Sequence, residues 1–263
     1  MPRRSISTLM TSVILACTMG IGLSATGASA AEPVRIAVEG AFPPFNYLDS
    51  NQKLQGFDVE IADALCKAAS IQCEFVVEEW DSMIPDLLAD KYDVIVSSMS
   101  MSQERRQKVA FTARYYDSPS VLVRRKDDPV KGVAKGDWHG VKLGVTLSTA
   151  QAAYAQEKYE GAKITVFDKS PELYQGLEDG SVDIILEDKL AIYDWLANTK
   201  AGQCCDFDGG DIKDPVYFGE GAGIALRKED TALLSQLNAA LSQIQSDGTY
   251  DRINAKYFPF SIR

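Results

Sequence analysis

An α/β fold built as two similar lobes is what this sequence predicts, and three observations carry that expectation. Short β-branched runs alternate with amphipathic helical stretches, the pattern of mostly parallel sheets covered by helices. The same order of elements also occurs twice. VRIAVE (34–39) and VKLGVT (141–146) read as equivalent strands. Each is followed by an apolar helix, a turn, an aspartate and a second apolar strand, in DSMIPDLLADKYDVIVSS (81–98) and PELYQGLEDGSVDIILED (171–188), with Asp183 in the place of Asp93. Finally, polar residues gather where strands end: Glu39, Ser97 and Ser98 in the first copy, Thr146 and Asp188 in the second. Open α/β sheets bind ligands beyond the carboxyl ends of their strands, so these residues point to a ligand held between the two copies.

The N-terminal stretch stands apart. Arg3 and Arg4 precede an apolar run from Leu9 to Leu23, and Ala28-Ser29-Ala30 supplies the small residues a signal peptidase requires. Residues 1–30 are therefore expected to be a signal peptide, with the mature chain beginning at Ala31. The run is a poor bilayer span. Ile14-Leu15-Ala16-Cys17 weakly resembles a lipoprotein box, the alternative being a chain tethered at Cys17. The formal net charge of −10 becomes more negative still without Arg3 and Arg4. Such a surface repels phosphate backbones, so nucleic acid is not an expected partner.

Along the mature chain, Asp58 opens an amphipathic helix through Ala69, with Ile61, Leu65 and Ala68 on one face. ADALCKAASIQCEF reads as a helix end, a turn and a strand start. In an oxidising compartment Cys66 and Cys73 are then natural disulfide partners, and a metal site there is rejected. DVIVSSMSMSQERR (93–106) runs a strand into serines, with Arg105 three residues beyond Ser102. Serine is a poor strand former, so two readings stand: a carboxylate receptor of hydroxyls and a guanidinium fork, or a surface turn that Ser102 caps. His139, the only histidine, sits in a loop before a strand and supports no Ser-His-Asp triad. Cys204 and Cys205 are read as a surface loop rather than a metal cluster, their redox state open. A last helix is expected from about Glu229 to Ser246, stopped by Asp247-Gly248.

Several stretches together resemble a known family. EGAFPPFNY (39–47), GFDVEIADALC (56–66), WDSMIPDLLADKYD (80–93), SSMSMSQER (97–105), YFGEGAGIALRKED (217–230) and DGTYDRINAKYF (247–258) match, in order, the periplasmic polar amino-acid binding proteins of ABC importers (solute-binding protein family 3). Within that family the resemblance is greatest to the lysine/arginine/ornithine and histidine binders. It implies a two-lobed periplasmic binding protein fold with two crossover hinge segments. Lobe 1 would hold residues 31–118 and 218–263, and lobe 2 residues 119–217. It also implies a monomer in the periplasm, with an amino-acid ligand, a membrane permease as partner, and no cofactor or metal.

The resemblance assigns roles residue by residue. Arg105 would grip the ligand's α-carboxylate through a bidentate fork, helped by Ser100. Asp188 and the carbonyl of Ser98 would take the α-ammonium. Phe42 and Trp80 would sandwich the side chain, and Glu39 with Ser97 would meet its cationic end. Because guanidinium stacks on aromatic rings and pairs with a carboxylate by two hydrogen bonds, the expected order of ligands is arginine, then ornithine or lysine, then histidine. Departures from the family pattern bear on this. Glu39 and Phe42 stand where cationic binders carry aspartate and tyrosine, which alters the preferred ligand length. Thr149-Ala150 stands where the family shows serine then threonine, leaving Thr149 and the amides of a helix start for the carboxylate. Opine binders share the Glu39-Gly40 pair, but Asp188 favours a free amine. Rival readings are an opine binder, a binder of a neutral polar amino acid such as glutamine, and a dehydratase with Glu39 as acid. A receptor's sensing domain is disfavoured by the lack of an apolar span after it.

Overall fold

The computed structural model describes Met1, residues 32–127, Val133 and residues 136–263. The expected signal peptide, its cleavage after Ala30 and the Cys17 alternative lie outside the described residues. Strand β1 (Val34–Val38) leads into a small antiparallel sheet of β2 (Ala41–Phe42), β3 (Asn46–Leu48) and β4 (Leu54–Gln55). Helix α1 (Phe57–Ala69) and β5 (Cys73–Val77) follow, then a 3-10 turn over Trp80–Ser82, α2 (Met83–Leu88), β6 (Val94–Ile95), α3 (Gln103–Lys108) and β7 (Ala110–Phe111). The second half contains β8 (Ser120–Arg125), β9 (Lys142–Thr146), α4 (Ala150–Lys158), β10 (Lys163–Phe167), α5 (Ser170–Glu178), β11 (Ile184–Asp188), α6 (Lys189–Asn198) and β12 (Cys205–Ile212). The chain returns to the first sheet with β13 (Ala225–Leu226) and ends in α7 (Thr231–Ser246) and α8 (Thr249–Tyr257).

Two five-stranded sheets result, ordered β5-β1-β6-β13-β7 and β10-β9-β11-β8-β12. Each is buried on both faces, and strand alternation explains how. Ile36 and Val94 face a core with Phe57, Leu65 and Leu241, while their neighbours Ala37 and Ile95 face another with Met83, Leu87 and Tyr92. In the second sheet Val123 and Ile185 face Leu173 and Leu177, while Leu122 and Ile184 face Leu143, Val145 and Ala155. A strand whose successive side chains both meet apolar layers reads as an unbroken apolar run, as these do.

The sheets are less parallel than the sequence suggests. β5, β1 and β6 pair in parallel, as do β10, β9 and β11, but β13 runs antiparallel to β6 and β7, and β8 is antiparallel to β11 and β12. The antiparallel strands β8, β12 and β13 flank the two segments that cross between sheets, and helix–strand alternation says nothing about segments of that kind.

The internal repeat has a physical counterpart. Asp93 accepts the backbone N–H of Arg35 at 2.9 Å and donates its own to the Arg35 carbonyl; Asp183 does the same with Lys142. Each aspartate thus pins the start of one strand against its parallel neighbour. Gly56 is fixed by a different constraint: at φ +126°, a Cβ there would lie 2.2 Å from the Phe45 carbonyl oxygen.

Cys66 and Cys73 form a disulfide linking the end of α1 to β5. Cys204 and Cys205 are also joined, and here the surface-loop expectation is corrected. Cys205 opens β12, is 3% exposed and packs with Val123 and Trp195, because β12 continues the sheet beside β8.

Asp93 also accepts from the Arg35 and Arg227 guanidinium groups at 2.8 and 3.1 Å, tying β1, β6 and β13 together. Burial opposes its ionisation, but the Arg35 and Arg227 hydrogen bonds outweigh that and hold the carboxyl at about 2. A depressed acid contributes stability above its unfolded pKa and loses it as pH falls through the folded value. Asp93→Asn is therefore expected to lower unfolding free energy by about 2 kcal/mol at pH 7. The difference from the parent should shrink as acid is added from about pH 4 toward 2, as measured by urea denaturation.

Candidate functional site

All nine residues put forward from the sequence line one cleft between the two sheets: Glu39, Phe42, Trp80, Ser97, Ser98, Ser100, Arg105, Thr149 and Asp188. The strand-end rule places them there. Glu39 follows β1, the serines follow β6, Thr149 follows β9 and Asp188 closes β11. His139 is exposed and lies outside this lining.

One end of the cleft is cationic. Ser102 caps α3 by accepting the Arg105 N–H at 3.3 Å, which settles the capping question without removing Arg105 from the site. The Arg105 side chain is 8% exposed. Its guanidinium donates to the Ser100 hydroxyl at 2.7 Å, to the Ser100 carbonyl at 3.2 Å and to the Ser148 carbonyl at 3.2 Å. It lies 5.1 Å from the Trp80 ring. Among the described residues no carboxylate ion-pairs with it. Burial lowers its pKa to about 10, which still leaves it charged near neutrality. Opposite lies the start of α4, whose cap is Thr149. That hydroxyl donates to the Thr146 carbonyl and accepts the Ala152 N–H, so it is spent on the helix. The first amides of α4 carry the partial positive charge of a helix N-terminus. Fork and amides together present the donors and positive charge that suit an anion.

Asp188 is the cap of α6. The Ser118 hydroxyl and the Leu190 and Ala191 amides all donate to its Oδ1, at 2.7, 2.9 and 3.1 Å, and no described donor reaches Oδ2. Burial raises this carboxyl to about 6. Ser98 is held in the left-handed region at φ 53° by a buried network. Its hydroxyl donates to Asp58, its amide donates to the Tyr115 hydroxyl, and Tyr115 and Asn46 both donate to Asp58. With amide and hydroxyl occupied, only the Ser98 carbonyl remains for a ligand.

The rest of the lining adds an acid and two aromatic rings, Trp80 lying beside Arg105. Glu39 donates its amide to the Ser97 hydroxyl at 3.0 Å, so Ser97 orients Glu39. No described donor reaches the Glu39 carboxyl, and burial raises it to about 7. Phe42 stacks on Phe45 at 5.5 Å. Trp80 bridges the sheets by donating its indole N–H to the Ser148 carbonyl at 3.1 Å, and Lys169 bridges them through Glu79 at 3.2 Å. The two halves are therefore closed on each other.

Sequence reasoning missed several lining residues: Tyr116, Ser118, Ser120, Gln151, Ser170 and Glu187. Tyr116 and Ser118 lie on a crossing segment that bears no motif. Glu187 carries a signal that was available, an acid inside the apolar run IILED rather than after it. Thr146, read as a strand-end group, does line the cleft.

The profile of the bacterial extracellular solute-binding proteins, family 3, matches residues 34–260. The chain is 34% identical to the lysine/arginine/ornithine-binding periplasmic protein of Escherichia coli over 254 residues, 95% of this chain and 97% of that one. A solved periplasmic binding protein of Salmonella typhimurium, described for its high arginine specificity, superposes with TM-score 0.79 at 30% identity, covering 87% of this chain and 100% of that one. An ancestral amino-acid-binding protein described as a precursor of cyclohexadienyl dehydratase gives TM-score 0.76 at 30% identity, over 86% and 95% of the two chains.

Because this set of donors depends on a planar fork, Arg105→Lys is expected to weaken every carboxylate ligand of this cleft at least about tenfold by calorimetry. Each charge-assisted hydrogen bond contributes about 1.5–3 kcal/mol. Binding within about twofold of the parent would take Arg105 out of the site.

Proposed function

Since this chain belongs to the bacterial extracellular solute-binding proteins, family 3, we propose that it captures a cationic L-amino acid between its lobes and hands it to the permease of an ABC importer. One observation carries the choice of ligand. The cleft is lined by a buried cation, Arg105, and by the buried acids Asp188 and Glu39, and among the described residues none of the three forms an ion pair with another charged side chain. An α-carboxylate on Arg105 and the α4 amides, an α-ammonium on Asp188 and the Ser98 carbonyl, and a side-chain cation at Glu39 complete all three. Phe42 and Trp80 flank the stem between them. Guanidinium stacks on aromatic rings and pairs with carboxylates by two hydrogen bonds, so arginine comes first, ornithine and lysine next, histidine last.

The supporting relatives are named as binding proteins of arginine, lysine, ornithine and histidine. The same relatives favour binding over dehydration, and a fork, an amine acceptor and an aromatic sandwich hold a ligand without transforming it. We place lobe 1 in residues 31–118 and 218–263 and lobe 2 in residues 119–217. Export to the periplasm follows from the leader pattern of residues 1–30, with cleavage after Ala30. Asp188 argues against opines, whose substituted amine offers it fewer donors. Octopine and N-acetyl-arginine are accordingly expected to bind far more weakly than arginine in competition calorimetry. Octopine binding more tightly than arginine overturns the assignment of Asp188.

Glu39 and Asp188 give different pH windows. Each must be ionised to hold a cation, and burial raises each, to about 7 and about 6. Between those values Glu39 takes up a proton that a cationic ligand must displace, while Asp188 stays charged. Arginine affinity should fall by up to about tenfold per pH unit below 7, with glutamine affinity steady until about pH 6. Glu39→Gln should cost arginine at least about 2 kcal/mol and leave glutamine nearly unchanged, since a buried charge is stranded only when the ligand is cationic. Equal losses for both ligands mean that Glu39 supports the fold and does not read charge.

A further inference from the structure

One carboxylate in the cleft has no place in that ligand set. Glu187, the penultimate residue of β11, is 5% exposed and lines the same cleft as Glu39 and Asp188. Its orientation is fixed. Oε1 accepts the Asp188 amide at 2.7 Å, Oε2 accepts the Ser170 hydroxyl at 3.0 Å, and Ser170 in turn lies 3.4 Å from the Thr146 hydroxyl. Two bonds leave a carboxylate about half of its acceptor positions unused.

Among the described residues no counter-ion pairs with Glu187. Asp188 stands beside it on the same strand, Glu39 approaches from the end of β1, and α5 contributes Ser170 and the Tyr174 hydroxyl, which burial keeps neutral. Lys169, just before α5, is engaged with Glu79 and acts on Glu39 only through space. Among the described residues neither Glu39 nor Glu187 ion-pairs with a lysine or arginine. Burial raises Glu187 to about 8, and the charges of Asp188 and Glu39 add to that. Two carboxyl groups, Glu39 after β1 and Glu187 in β11, therefore act on each other across one stretch of cleft, and among the described residues no lysine or arginine ion-pairs with either.

We propose that Glu187 is a second specificity-determining carboxylate, which with Glu39 brackets the cationic end of the ligand from opposite lobes and favours a guanidinium over an ammonium. The proposal rests on the cationic amino-acid reading and refines it. A guanidinium spreads five N–H donors over a rigid plane and can serve two carboxylates along different edges; an ammonium gathers three donors on one atom. The competing role is structural: Glu187 holding the Asp188 amide and Ser170 in place. That role predicts the same loss for every ligand.

The two roles separate by calorimetry of Glu187→Gln and the parent with arginine, lysine and glutamine. Arginine is expected to weaken at least about tenfold, lysine by less, and glutamine by under about twofold. Equal losses for the three ligands, or unchanged arginine affinity in a variant whose parent binds arginine, overturn the proposal. Should the variant fail to fold, the parent alone decides. At pH 6.5, in buffers of different ionisation enthalpy, arginine is expected to release over one proton more per ligand than glutamine does. Asp188 meets the α-ammonium of both ligands and cancels, and Glu39 alone can give up at most one, so a difference of one proton or fewer overturns the proposal. A parent that binds no cationic amino acid overturns the functional reading and this refinement together, whereas a glutamine-insensitive, arginine-specific loss supports both.

Discussion

Arg105 is a buried cation that, among the described residues, forms no ion pair with a carboxylate, and much of the cleft is arranged around that fact. Removing a guanidinium from water is costly unless charge and hydrogen bonds are restored. Ser100 and the Ser148 carbonyl restore part of the hydrogen bonding, and the Trp80 ring offers a polarisable face. None of these supplies a negative charge. In the proposed reading a carboxylate-bearing ligand supplies it, met from the other lobe by the amides at the start of α4, so that lobe closure and neutralisation of Arg105 become one event.

The acids obey the same logic with the sign reversed. Glu39, Asp188 and Glu187 all have raised pKa values because burial disfavours their charged forms. Glu39 belongs to one lobe and the other two to its partner, so closing the cleft without a cation brings like charges together. A cationic ligand converts that repulsion into attraction. Bistable lobes of this kind close around what completes them. The scaffold for this is rigid: Asp58, wholly buried, locks Ser98 through three donors, and Asp93 and Asp183 fix the strand starts at the opposite ends of the two sheets.

Much of this was legible in the amino-acid sequence because it depends on short-range chemistry. The repeated aspartate before the inner strand of each lobe is visible as Asp93 and Asp183, whereas its partners Arg35 and Lys142 emerge only from the strand pairing in the structure. Serines at a strand end beside Arg105 raised an anion site as one of two readings, because serine is a poor strand former; the other, a turn capped by Ser102, is also present. What stayed hidden depends on the tertiary meeting of segments. Tyr116 and Ser118 enter the cleft from a crossing segment whose path local pattern does not define. The antiparallel strands β8, β12 and β13 have the same origin, and the burial of Cys205 follows from one of them. Glu187 was passed over because strand alternation assigns it the face opposite Asp188; β11 ends at the cleft, where both faces open onto the ligand.

The central claim is that the cleft recognises a zwitterion carrying a third, positive charge at its far end. Arginine and citrulline test it most directly, because they match in length and shape and differ in that charge. Calorimetry of the chain spanning residues 31–263 with each ligand at pH 7.5 is predicted to show arginine binding at least about a hundredfold more tightly than citrulline, a difference of about 2.7 kcal/mol. Equal affinities would contradict the account, leaving Glu39 and Glu187 without a part in recognition.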